Sequence, residues 1–184
     1  MSETSTLVLG LGNVICGDDG VGIIALERLR RGFELPGAGL SLVDGGTQGL
    51  ALLAILEEAD EVWILDAVEA DAPPGTLVAL EGEAVEPALR ERLSPHQIGV
   101  ADLLDAMQWR GTWPARVRVL GLVPDDIGLR VGLSEPVARN LEALVQQTVR
   151  ELREAGHVLE RRDPDADASP PDDDRDRIAR ALGL

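Results

Sequence analysis

Five side chains have the types and positions to carry chemistry: Asp18, Asp19, Asp44, Asp66 and His96. The first two lie in the stretch Gly10-Leu11-Gly12-Asn13-Val14-Ile15-Cys16-Gly17-Asp18-Asp19-Gly20-Val21-Gly22, between an apolar run, Leu7-Val8-Leu9, and a helical pattern starting at Val21. A glycine-rich turn between strand and helix ordinarily cradles a phosphate, because its backbone N–H groups and the helix N-terminus both favour anions. Adjacent carboxylates in that place suit a cation or a shared proton instead. Two carboxylates about 5 Å apart repel by roughly 3 kcal/mol at an effective dielectric near 20. A divalent cation between them removes that penalty, and a shared proton lowers it. Two carboxylates and an imidazole, with open positions left over, make an O/N site suited to Zn, Ni, Mn or Fe.

Each residue also has a plainer role. Asp44, before Gly45-Gly46, has the setting of an Asx-turn. Asp18 is placed to cap the helix that follows. Asp66 has less to do locally, since it ends the apolar strand Glu61-Val62-Trp63-Ile64-Leu65. His96 follows Ser94-Pro95 at a helix start, a poor place for a core imidazole. His157, at the end of the last helix, reads as solvated. Cys16, the single cysteine, has no neighbouring base and reads as a small apolar filler. Being alone, it excludes an internal disulfide and a multi-cysteine metal site.

These residues need a scaffold, and the hydrophobic pattern supplies one. Strands are expected at Thr6–Leu11, Leu40–Val43, Glu61–Leu65, Thr76–Leu80 and Arg116–Val123, the last entering from the edge because charge alternates with apolar residues at its start. Helices are expected at Val21–Arg31, Gly49–Glu58, Pro87–Leu93 (a short one), about Gly99–Gln108, and from Ser134-Glu135-Pro136 towards Gly156. The alternation predicts an α/β fold of three layers, a mostly parallel five-stranded twisted sheet with helices on both faces. In such sheets ligands bind outside the carboxyl ends of the strands, where Asp18/Asp19, Asp44 and Asp66 all fall.

One catalytic domain, 5–158, is expected, followed by an acidic tail, 159–184, with too little to bury to fold and no catalytic role. The 184 residues are 45% apolar, and with one Phe, three Trp and no Tyr the core must be aliphatic. A formal net charge of −16 argues against nucleic acid and anionic membranes as partners. With no basic leader and no run of membrane-spanning length, the chain reads as soluble and cytoplasmic.

Taken together, Gly10-Leu11-Gly12-Asn13 with Asp18-Asp19-Gly20-Val21-Gly22, Asp44-Gly45-Gly46-Thr47, Asp66-Ala67, Ser94-Pro95-His96-Gln97-Ile98-Gly99, Gly121-Leu122-Val123-Pro124 and Gly132-Leu133-Ser134 resemble the hydrogenase maturation endopeptidases. The likeness spans roughly Ser5 to Gly156. The Asp-Gly-Gly-Thr and Ser-Pro-His-Gln blocks look most like the branch that serves uptake-type nickel–iron hydrogenases. The resemblance implies a protease that removes a short C-terminal extension from the hydrogenase large-subunit precursor once nickel is inserted. It implies Asp19, Asp66 and His96 as metal-contacting residues. The metal it implies is the substrate's own nickel, a recognition tag and Lewis acid, with other divalent ions able to fit and no permanent zinc. On this reading a water polarised at the cation, or held by a carboxylate such as Asp44, attacks the scissile carbonyl.

Three other readings compete. A nickel-protein chaperone or adaptor would bind the same partner without cutting it. A self-contained metallohydrolase would act on small molecules. A dinucleotide-binding oxidoreductase fits least, because Ile15 stands where the third glycine of G-x-G-x-x-G belongs and Asp44 lies beyond the usual ribose-binding acid.

Overall fold

The first strand, β1 (Thr6–Leu11), is buried along its whole length, as a strand covered on both faces must be. The computed structural model describes residues 4–37, 39–46, 52–85 and 100–162. After β1 come α1 (Val21–Gly32), a two-residue β2 (Phe33–Glu34), β3 (Leu40–Gly46), α2 (Leu53–Glu57), β4 (Glu61–Ala67), β5 (Leu77–Glu81), α3 (Val100–Arg110), β6 (Arg116–Leu122), α4 (Glu135–Glu154) and β7 (Glu160–Arg161).

Five strands form one sheet in the order β3-β1-β4-β6-β5. All pairs are parallel except β5 with β6. Strand alternation divides the core into two. Val8, Trp63, Leu65, Leu120 and Leu122 meet α1 and α4 on one face. Leu7, Leu9, Val62, Ile64, Val117 and Val119 meet Leu56 of α2 and Leu103, Leu104 and Met107 of α3 on the other. This is the expected three-layer architecture. The two layers follow from connection handedness: the chain leaves β1 in one direction to β3 and returns past it to β4, and right-handed crossovers in opposite directions place their helices on opposite faces.

Several elements depart from their expected bounds or places. β6 is interior, not an edge entry. Its charged start is accommodated because Arg116 and Arg118 sit over the Trp63 ring, 5.8 and 5.5 Å from its centroid, and both pair with Glu81 of the edge strand β5. Arg118 also pairs with Glu151 of α4. The expected short helix at Pro87–Leu93 lies outside the described residues, as does the start of the one expected from Gly49. Residues 159–162, assigned to the tail by composition, belong to the domain. Here β7 pairs with β2, Leu159 is buried, and the Arg162 N–H donates to the Gly32 carbonyl at 2.9 Å. The remainder of the expected tail, 163–184, lies outside the described residues. His157 is not simply solvated: its Nε2 lies 2.9 Å from the Thr6 hydroxyl and ties the end of α4 to β1.

Candidate active site

The direction of connection reverses between β1 and β4, the switch point at which open α/β sheets bind ligands beyond their carboxyl ends. Asp19 arrives there from β1. The residues after the strand turn back at Gly12 (φ +114°) and pass through a 3₁₀ turn, Gly17–Gly20, before α1 begins. Asp19 Oδ2 accepts the Asn13 N–H at 2.8 Å, so the carboxylate closes its own loop and is held in one orientation. The loop is tight enough that a Cβ on Gly12 would stand 1.7 Å from the Asp19 carbonyl oxygen. The first turn of α1 is wedged against the same two strands. A Cβ on Gly22 would lie 2.0 Å from the Leu65 carbonyl oxygen and 2.6 Å from that of Leu11.

Asp66 arrives from β4. It is buried, and its Oδ1 accepts the Ala67 N–H at 2.9 Å. By alternation it shares a face with Val62, Ile64 and Val68, the face covered by α3. The turn carrying Asp19 packs against β4, so the fold brings Asp19 and Asp66 to one edge of the sheet. His96 lies outside the described residues, four positions before Val100 at the start of α3. Among the described residues no group of three His, Cys, Asp or Glu side chains could hold a metal ion.

Asp44 is placed differently. It stands exposed on the edge strand β3, where its Oδ1 accepts the Gly46 N–H at 2.9 Å in an Asx-turn. Its strand neighbours Leu40 and Leu42 pack towards the α1/α4 core, so alternation sets it on the opposite face from Asp66.

Asp18 does not cap α1, whose N-cap is Gly20 with no side-chain bond. Its carboxylate is fully buried and accepts three distant N–H groups: Ser134 at 2.7 Å, Asp125 at 2.9 Å and Asp126 at 3.0 Å. Ser134 is the N-cap residue of α4, so Asp18 sits at the positive end of a 20-residue helix and ties it to the site loop. No local pattern could reveal this, because the partners are more than a hundred residues away. Cys16 is half-exposed, paired through its backbone with Arg130 rather than filling the core.

Burial alone would raise the Asp18 pKa, but the backbone donors of Ser134, Asp126 and Asp125 outweigh it and hold the group below its ordinary 3.8. A carboxyl group depressed on folding stabilises the native state above its unfolded pKa and loses that contribution as pH falls through the native one. Asp18→Asn is therefore expected to cost about 2–3 kcal/mol near neutrality, since a buried charged acceptor is lost. It should also flatten the decline in stability below about pH 4. Urea unfolding between pH 3 and 7 checks both. An unchanged acid limb would show that Asp18 is not the stabilising group.

The dinucleotide reading meets a physical obstacle in this loop. In that class the pyrophosphate sits against the N-terminus of the helix that directly follows the glycines. Here an acidic 3₁₀ turn stands between Gly12 and the start of α1. Among the described residues, no helix is long and apolar enough to cross a membrane.

Comparison with known proteins agrees with the geometry. A family model described as hydrogenase maturation protease matches residues 23–151. The hydrogenase 2 maturation protease of Escherichia coli is 34% identical over 151 residues, 82% of this chain and 92% of the relative. The hydrogenase expression/formation protein HupD of Rhodobacter capsulatus is 40% identical over 153 residues, 82% of this chain and 72% of the relative. The solved structure of the hydrogenase maturating endopeptidase HybD from Escherichia coli matches with a TM-score of 0.80 at 32% identity, over 86% of this chain and 98% of that one. With a parallel sheet that delivers two aspartates to its switch point, and relatives that match most of its length, the chain belongs to the hydrogenase maturation protease family.

Proposed function

We propose that this chain is an endopeptidase that removes the C-terminal extension from the nickel-loaded precursor of a hydrogenase large subunit, in the uptake-type branch, and that it acts in the cytoplasm. One observation supports the reading: two aspartates, each held by a backbone N–H, lie at one edge of the sheet, Asp19 in the turn that follows β1 and Asp66 near the end of the adjacent strand β4. Hard oxygen donors in that place suit a divalent cation that arrives with open coordination positions.

The nickel belongs to the substrate. Asp19 and Asp66 supply carboxylate oxygens, and His96 supplies the nitrogen that completes the set. Held by Asp19, Asp66 and His96, such a cation would mark the precursor as ready and would supply Lewis-acid polarisation for the hydrolysis. Asp44, exposed on the edge strand and on the opposite face from Asp66, is not a cation ligand in this reading, and its carboxylate is left to hold water. Other divalent ions with similar ligand preference should compete for the same donors.

The test is to incubate the chain with nickel-loaded and nickel-free precursor and weigh the products by mass spectrometry. Only the nickel-loaded precursor is expected to lose its extension. A stable complex of unchanged mass would assign the chain as an adaptor instead. Equal cleavage of both forms would remove the metal from recognition.

A further inference from the structure

Beside the candidate site, two loops present large apolar side chains to solvent. Val14 and Ile15 come from the loop that carries Asp19, and Ile127, Leu129 and Val131 come from the loop between β6 and α4. Leu129 and Val131 are 86% and 83% exposed. These loops are built, not loose. The Arg130 N–H donates to the Ile15 carbonyl at 2.9 Å, the Gly17 N–H to the Arg130 carbonyl at 2.7 Å, and the Asp18 N–H to the Asp126 carbonyl at 2.9 Å. Cys16 and Arg130 form a parallel bridge, which joins the two loops side by side as one short ribbon. Ile127 continues the patch into a hollow of about 340 Å³, walled by Glu69, Ala72, Pro74, Val123 and Pro124 and beginning just past the strand that ends in Asp66 and Ala67.

The geometry points to this ribbon and hollow as the docking surface for the protein substrate, an apolar stretch of polypeptide that lies along the carboxyl edge and presents its scissile bond to Asp19 and Asp66. The inference rests on the proposed function and adds to it where the substrate is held. Three observations favour this occupant. The patch is continuous with the site, because the loop that presents Ile15 also orients Asp19 through Asn13. A second copy of the chain is a poor occupant, because the net charge of −16 makes self-association repulsive. Exposed apolar side chains clustered on hydrogen-bonded loops mark a surface that a partner covers.

The test pairs Leu129→Asp/Val131→Asp with a control, Trp109→Asp. Trp109 is 95% exposed near the end of α3, which leads into the start of β6 and so lies at the opposite edge of the sheet. Binding to immobilised nickel-loaded precursor is measured by interferometry, and processing is followed separately as KM and kcat. The double variant should weaken binding and raise KM at least tenfold, with kcat within about twofold and the unfolding temperature unchanged. The control should alter neither. Unchanged binding by the double variant overturns the inference, as does an equal loss in the control or no measurable binding by the unmodified chain. Sedimentation that shows a dimer abolished by the double variant would give the patch to a second copy and overturn it too. The binding arm is scored whether or not cleavage occurs, so a chain that binds but fails to cut counts against the proposed function alone.

Discussion

Asp66→Asn is expected to reduce precursor processing at least about 100-fold while leaving the fold intact. The amide has the size and shape of the carboxylate, so the packing at the end of β4 need not change, and Oδ1 can still accept the Ala67 N–H. What is lost is the negative charge and the strong donor oxygen. On the proposed reading, in which this site grips a cation, that loss would act on both recognition and catalysis. A 100-fold drop corresponds to about 2.7 kcal/mol of transition-state stabilisation, modest for removal of a direct contact. Mass spectrometry of nickel-loaded precursor gives the rate, and thermal unfolding of the variant gives the control. Undiminished processing by a folded Asp66→Asn protein would remove the acid pair from the chemistry.

Gly22→Ala should produce the second large effect, through geometry instead of charge. The added methyl carbon would lie 2.0 Å from one backbone oxygen and 2.6 Å from another, both belonging to strands in the centre of the sheet. Neither can rotate away as a side chain would, so α1 must lift off β1 and β4. Overpacking against backbone on two sides belongs at the upper end of its usual cost, about 3 kcal/mol. For a chain of this size that lowers the unfolding temperature by roughly 6–12 °C. Because Asp19 stands just before α1, processing should fall further than the lost stability explains. Gly32→Ala, at the far end of the same helix with nothing within 4 Å of its added carbon, is the comparison. It should be neutral or stabilising by up to about 1 kcal/mol. If Gly22→Ala matched Gly32→Ala in stability, the close seating of α1 over the strand ends would be wrong.

How far the sequence could be read depended on the range of the interactions involved. The five strands of the main sheet, the three layers and the arrival of Asp19 and Asp66 at one edge were legible, because periodic apolar runs and their terminal residues are local features and the handedness of crossovers arranges them; the two-residue β2 and β7 were not. Asp44 was legible in the same way, since an Asx-turn involves only its own next residues. Sequence motifs also carried the family, which the comparisons establish.

The rest was decided in three dimensions. Asp18 and Asp19 are adjacent acids in one turn, and nothing in their spacing separates them. Only the folded loop sends Asp19 back to Asn13 and Asp18 inward to Ser134, Asp125 and Asp126. The interior place of β6 follows from the cover that Trp63, Glu81 and Glu151 give its arginines, partners contributed by three other elements. The joining of Ile15 to Leu129 and Val131 in one ribbon likewise depends on hydrogen bonds across more than a hundred residues. Local chemistry thus chose the elements and the acids, and long-range contacts decided which acid is buried to brace the scaffold and which stays with its own loop.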